Sequence, residues 1–226
     1  MAQPQRPNLL SLDDVLQRLL AVAQERVLPE VEKVDTFDSL GRVLARAVVS
    51  ALDVPPADNT SMDGYAMRAA DVPSVGTVLP VSQRLPAGVV GTALQPGTAV
   101  RIFTGAQLPP GADAVVMQED CTGLAGDVSG SSPGLGAVRI NAMPSAGQWV
   151  RRRGEDVQLG AEVLAAGLRI TPQAMGLAAS VGASRLTVRR RPHVALFSTG
   201  DELVMPGESL KPGAIYNSNR FTLRGL

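Results

Sequence analysis

Between Gly76 and Gly147 the chain places twelve of its 23 glycines, and the apolar residues between them come in short runs. Thr77–Val81, Ala99–Phe103, Ala114–Met117 and Ala137–Ile140 are each four or five residues long. Runs that short, bounded by Gly and Pro turns, suit strands and are too brief for amphipathic helices. The spacing therefore predicts a β-rich region across residues 55–150. Gly123–Gly136, with little apolar content, is expected to form a hairpin tip or loop.

The flanks read differently. Ser11 is a good N-cap, Asp13 and Asp14 sit where a helix dipole favours anions, and apolar residues recur at three- and four-residue spacing from Leu12 to Val27. A core-facing helix is predicted over residues 11–28, stopped by Pro29. Asp38–Leu40 suggests a short helical start, whereas Val43–Leu52 fits helix or strand equally. Val54-Pro55-Pro56 favours an extended path. Thr171 before Pro172 marks a second helix start, and Gly182 its end. Leu186–Val188 reads as extended, and Arg189–Pro192 as a polar joint. Val194–Phe197 is wholly apolar, as in a strand buried on both faces of a parallel sheet. Ile215-Tyr216 leads to Asn217-Ser218, a plausible N-cap for a helix over Asn219–Leu226. A parallel sheet needs a further strand after such a crossover, so the chain is expected to be a truncated or partial protein.

Composition excludes several classes. With 226 residues and 45% apolar content, the chain can bury a core without staples. A single cysteine, Cys121, permits no disulfide framework, and a single histidine, His193, permits no two-histidine metal site within the chain. Cys121 has no base nearby in sequence and reads as inert. The 21 basic and 21 acidic side chains balance, which argues against a general nucleic-acid binder. No apolar run approaches the ~20 residues of a membrane span, and the N-terminus has no signal-peptide core. A cytoplasmic location is expected.

Four polar clusters are candidates for chemistry. Asp58–Ala66 follows the prolines, and its Asp63-Gly64 pair suits either a structural turn or a ligand contact. Arg101–Ala106 ends a strand in a Thr104-Gly105 corner, where a hydroxyl and backbone N–H groups can hold an oxyanion; such corners are also common in turns. Arg151-Arg152-Arg153-Gly154-Glu155-Asp156 offers guanidinium forks for phosphate, or forms a self-neutralising charged turn. Ser198–Glu202 follows the apolar strand, at the end where open α/β sheets bind ligands. Asp201 and Glu202 there are hard oxygen donors suited to Mg²⁺.

Taken together, Val54–Ala66, Arg101–Ala106, Gly111–Met117, Arg151–Asp156, Ser198–Leu203 and Ile215–Arg220 resemble, in order, motifs of the molybdopterin molybdenumtransferase family. This family is called MoeA in bacteria and includes the gephyrin E domain. The resemblance runs from about Ser11 to the last residue and implies an α+β to α/β multidomain fold. The N-terminal helix, residues 1–28, would pack on an α/β domain. Residues 29–50 with 157–187 would form a small discontinuous linking domain, and 51–156 an inserted β-rich domain. Residues 188–226 would begin an incomplete, molybdopterin-binding-like α/β domain.

The function implied is insertion of molybdate into adenylylated molybdopterin, with release of AMP and assistance from Mg²⁺. By motif, Asp63, Asp156 and Glu202 would be the catalytic carboxylates. Glu202, with Asp201, would hold the metal. Thr104 and Arg151 would contact an oxyanion or phosphate, and Asn217, Ser218 and Asn219 would hold phosphate at a helix start. The family implies a homodimer with a shared active site, and the adenylyltransferase that makes its substrate is a second candidate partner. Nucleic acid and membrane are not expected partners. Two alternatives stand beside this: a non-catalytic dimerising or scaffolding fragment, and a different Mg²⁺-dependent phosphate-ester enzyme.

Overall fold

The computed structural model describes residues 10–25, 29–126 and 129–226. Its elements in chain order begin with helix α1 (Leu12–Glu25) and strands β1 (Val31–Asp35), β2 (Val48–Val49), β3 (Asn59–Thr60) and β4 (Gly64–Met67). Strands β5 (Val78–Leu85), β6 (Ala99–Ile102), β7 (Ala114–Met117), β8 (Cys121–Leu124) and β9 (Ala137–Ile140) follow. After β10 (Val150–Arg151) and β11 (Glu162–Leu164) come α2 (Pro172–Ser180), β12 (Arg185–Arg189), β13 (Leu203–Val204), β14 (Ile215–Tyr216) and α3 (Ser218–Gly225). The chain divides into two compact units: Lys33–Val188, and Met1–Glu32 with Arg189–Leu226.

The larger unit is built on a six-stranded sheet of order β7-β4-β6-β5-β9-β8. Its β5–β6 pair is parallel and its other pairs are antiparallel. The short apolar runs foreseen at Ala99–Phe103, Ala114–Met117 and Ala137–Ile140 supply β6, β7 and β9. In β6, Val100 and Ile102 face one core with Ala66, Leu85 and Val115. Ala99 faces a second core with Met67, Leu79, Val116, Val138 and Ile140. Because both faces of the sheet are covered, adjacent residues Val115 and Val116 are both buried, on opposite sides. Gly64 lets β4 fit between β6 and β7: a Cβ there would lie 2.0 Å from the Val116 carbonyl oxygen.

A separate core forms from two distant stretches of the same unit. Leu44 and Val48 pack with Leu164, Ile170, Ala174, Ala178, Val181, Leu186 and Val188. The ambiguous segment Val43–Leu52 is extended, not helical. Val43 bridges Arg169, Leu44 bridges Val188, and β2 pairs with β11. Helix α2 starts where expected: the Ala174 N–H donates to Thr171 Oγ1 at 3.2 Å, with Pro172 in the first turn.

The smaller unit departs from expectation in two ways. Val194–Phe197 forms no strand: residues 191–200 have no regular structure, and Val194 and Phe197 are 81% and 82% exposed. A strand exists only through a neighbour's hydrogen bonds, and no described strand pairs with this run. Asp201 and Glu202 therefore follow an irregular segment and precede β13, instead of ending a buried strand. Helix α1 forms and is capped as read, with the Asp14 N–H donating to Ser11 Oγ, but none of its residues is buried. Its apolar stripe states that the helix can be covered, not by what. The last residues predicted for it, 26–28, lie outside the described residues. Strands β13 and β14 form a short parallel pair that leads into α3, with Asn217 accepting from the Arg220 N–H at 3.2 Å.

Candidate functional site

Asp58–Gly64 is the thread along which the larger unit's polar clusters meet. β3 pairs with β10 so that Asn59 lies opposite Arg151 and Thr60 opposite Val150. On its other side, the Thr60 N–H donates to the Ala106 carbonyl and the Gly105 N–H returns to Thr60. The three loops 58–64, 103–107 and 149–156 are thus tied backbone to backbone. Thr60 Oγ1 then closes a tight turn, accepting from the Met62 N–H and donating to the Met62 carbonyl. That turn delivers Asp63.

Asp63 Oδ1 accepts from both the Thr104 N–H, at 2.8 Å, and the Thr104 hydroxyl, at 2.7 Å. The Thr-Gly corner therefore holds an oxyanion already, and that oxyanion is the chain's own carboxylate. The Thr104 amide, then its hydroxyl, hold the Asp63 carboxyl below its ordinary value against a desolvation cost, and the Arg101 charge adds to this. Asp63 is thus an anion at neutral pH, an acceptor and a charge-balancing group.

The arginine loop is a lattice of ion pairs. Arg151 meets Asp156 at 2.5 Å and Glu155 at 3.5 Å. Arg152 meets Asp58 at 2.6 Å, and Arg153 meets Asp53 at 2.6 Å. Asp58 also accepts the Arg153 N–H, and Asp53 the Leu159 N–H. These backbone bonds are the first cause that holds both carboxyls below their ordinary value. Pairing with Asp156 raises the already high Arg151 value further. Trp149, just before β10, has φ +55, a left-handed conformation that costs a non-glycine residue about 1–2 kcal/mol. Its carbonyl accepts from the Ser61 N–H at 3.2 Å.

The structure thus brings Asp63 to Thr104 and Arg151 to Asp156, on loops joined through β3. Sequence reasoning did not identify Asp53 and Asp58 as the partners of Arg153 and Arg152. No local signal marks pairs separated by 100 and 94 residues.

The other predicted residues lie in the smaller unit. Asp201 and Glu202 line a cleft of about 670 Å³ together with Glu208 and Lys211. Ser218 and Asn219 occupy the first turn of α3, whose N-cap Asn217 is buried. Among the described residues no group of three or more His, Cys, Asp or Glu is placed to hold a metal. Adjacent Asp201 and Glu202 do fit a hard cation of the Mg²⁺ type, which takes one or two carboxylates and completes its shell with water and phosphate oxygens.

A mixed β unit whose polar loops join an acid–hydroxyl pair to a paired arginine loop is the class of protein these features define. Residues 10–182 match the family described as the MoeA N-terminal region, domains I and II. The chain belongs to that family. A molybdopterin molybdenumtransferase 2 of Mycobacterium tuberculosis is 43% identical over 188 residues, 81% of this chain and 44% of that protein. The molybdopterin molybdenumtransferase of Haemophilus influenzae is 35% identical over 219 residues, 96% of this chain and 51% of its own length. A crystal structure of a molybdopterin biosynthesis MoeA protein from Pyrococcus horikoshii superposes with a TM-score of 0.72 at 36% identity. That superposition covers 92% of this chain and 52% of the other. The chain spans about half the length of the relatives it matches.

Proposed function

We propose that this chain serves molybdenum cofactor biosynthesis as part of a molybdopterin molybdenumtransferase, which inserts molybdate into adenylylated molybdopterin and releases AMP. The observation that carries this is identity of 35–43% over most of the chain to proteins of that name. Both substrates are anionic, so the protein must position oxyanions and balance their charge; no side-chain nucleophile is required. Thr104 and Arg151 are the oxyanion contacts in this reading. Asp156 balances the Arg151 charge, and Thr104, whose amide and hydroxyl both donate to Asp63, takes a substrate oxyanion in exchange for that carboxylate. Ser218 and Asn219 offer the N–H groups of a helix start to phosphate. Mg²⁺, held by Asp201 and Glu202, would supply charge neutralisation at phosphate oxygens. A homodimer with a shared site, the adenylyltransferase as a further partner and a cytoplasmic location complete the proposal. The separate core of Leu44, Val48 and residues 164–188 supports a discontinuous linking domain beside a β-rich one. Among the described residues no helix is long and apolar enough to cross a membrane.

A chimera tests this reading. The chain replaces the aligned 219 residues of the Haemophilus influenzae relative. AMP release from adenylylated molybdopterin is then measured with and without molybdate. Molybdate-dependent release, reduced at least ~10-fold by Asp63→Ala or Arg151→Ala, is expected. A folded chimera without release, beside an active parent, overturns the reading.

A further inference from the structure

Arg101 stands directly opposite Tyr65 in the β4–β6 pairing, and Phe103 follows two residues later, just past the end of β6. Its guanidinium lies 5.2 Å from the Tyr65 ring centroid and 4.5 Å from that of Phe103. Two aromatic faces thus fix the plane of the cation. From there it donates to the Gly64 carbonyl at 2.8 Å and to Gln118 Oε1 at 2.6 Å. Gly64 is the residue after Asp63, and the Gln118 N–H donates to the Asp63 carbonyl at 3.0 Å. The guanidinium therefore grips the backbone on the C-terminal side of Asp63, while its own strand runs on to Thr104. Arg84 offers an internal contrast. It lies over the same Phe103 ring at 4.7 Å and beside Arg101 in the β5–β6 pairing, but neither Gly64 nor Gln118 accepts from it.

We propose that Arg101 is a positioning residue: its fork, clamped between Tyr65 and Phe103, holds the Asp63–Gly64 backbone so that the Asp63 carboxylate receives both Thr104 donors. The function of that pair rests on the reading of Asp63 and Thr104 as site residues; the clamp does not. Arg is required because a forked, planar cation can stack and donate in two directions at once, whereas Lys is a point donor.

The experiment is a ¹³C titration of the Asp63 carboxyl, with the Thr104 amide shift followed in parallel, on the 226-residue chain and without substrate. It is run on the parent, Arg101→Gln, Arg101→Lys and Arg84→Gln, with melting temperatures recorded for each. Arg101→Gln is expected to raise the Asp63 titration and to move the Thr104 amide. Arg101→Lys, which retains the charge, should raise it less but still move the amide. Arg84→Gln should leave both in place. An unmoved Asp63 and Thr104 in folded Arg101→Gln overturns the proposal. So does an equal shift in Arg84→Gln, which would make the effect through-space charge alone. If Arg101→Gln does not fold, Arg101→Lys decides, and its identity with the parent overturns the clamp. No turnover is needed, so failure here is distinct from failure of the transferase reading.

Discussion

The Asp63–Thr104 pair shows how one residue's protonation state is set by its neighbours. A carboxylate that accepts an amide and a hydroxyl on one oxygen stays ionised at pH values where a free one begins to protonate. Cys121 shows the opposite case. Burial first, and the nearby Asp120 charge next, push its thiol up to about 12. At pH 7 its thiolate fraction is then on the order of one in 10⁵, too small for useful nucleophilicity. Cys121 in the folded chain is therefore expected to resist iodoacetamide at neutral pH and to react once denaturant unfolds it. Mass spectrometry of the labelled chain checks this, and rapid labelling of folded protein would refute it. The sequence pointed to an inert Cys121 for lack of a nearby base; the structure supplies burial as the stronger reason.

Elements differ in how much of their stability lies within themselves. Strand β4 depends on its neighbours: it enters at Gly64, where the Val116 carbonyl leaves no room for a Cβ. Gly64→Ala should cost more than ~3 kcal/mol in urea denaturation, because backbone of a central strand must move. Gly176, inside α2, is the opposite case: a Cβ added there would meet nothing within 4 Å. Gly176→Ala should stabilise by about 0.5–1 kcal/mol, through helix propensity alone. Thr171→Ala removes the α2 cap bond and should cost about 1 kcal/mol. Similar effects for the two glycine substitutions would contradict this account. Strands β6, β7 and β9 were legible because each alternates or clusters apolar residues between turn signals. β4 was not, because Gly64-Tyr65 continues a polar turn sequence and only its partners β6 and β7 make it a strand. Val194–Phe197 erred the other way: its apolar run met no partner strand.

At the scale of the whole molecule, four carboxyls among the described residues are expected to shape the response to acid. Asp53, Asp58, Asp63 and Asp71 are all held below the ordinary value of 3.8, by N–H and hydroxyl donors and by arginine partners. A carboxyl whose folded value is depressed contributes stability that is complete above its unfolded value and lost as pH falls through the folded one. Stability should therefore be flat with respect to these groups above about pH 5 and decline below about pH 4. Urea midpoints between pH 2.5 and 7 test this. Replacing Asp58 or Asp71 by Asn should lower the neutral-pH midpoint and flatten the acid limb. An unchanged acid limb in both variants would show that other groups carry the transition.

The sequence by itself determined the local grammar: where glycine and proline break the chain, which short runs can be strands, and where Thr171 and Asn217 start helices. It also determined the family, because six ordered motifs are a property of the chain and not of its folding. Tertiary structure decided which charges meet. Arg153 finds Asp53 and Arg152 finds Asp58 only after Val54 bridges Val157 and β3 pairs with β10, and Arg101 reaches Gly64 only because β6 lies against β4. Backbone propensity acts over a few residues, and a linear pattern records it. Ion pairs and clamps depend on sheet register, which is fixed by packing on both faces of the sheet at once.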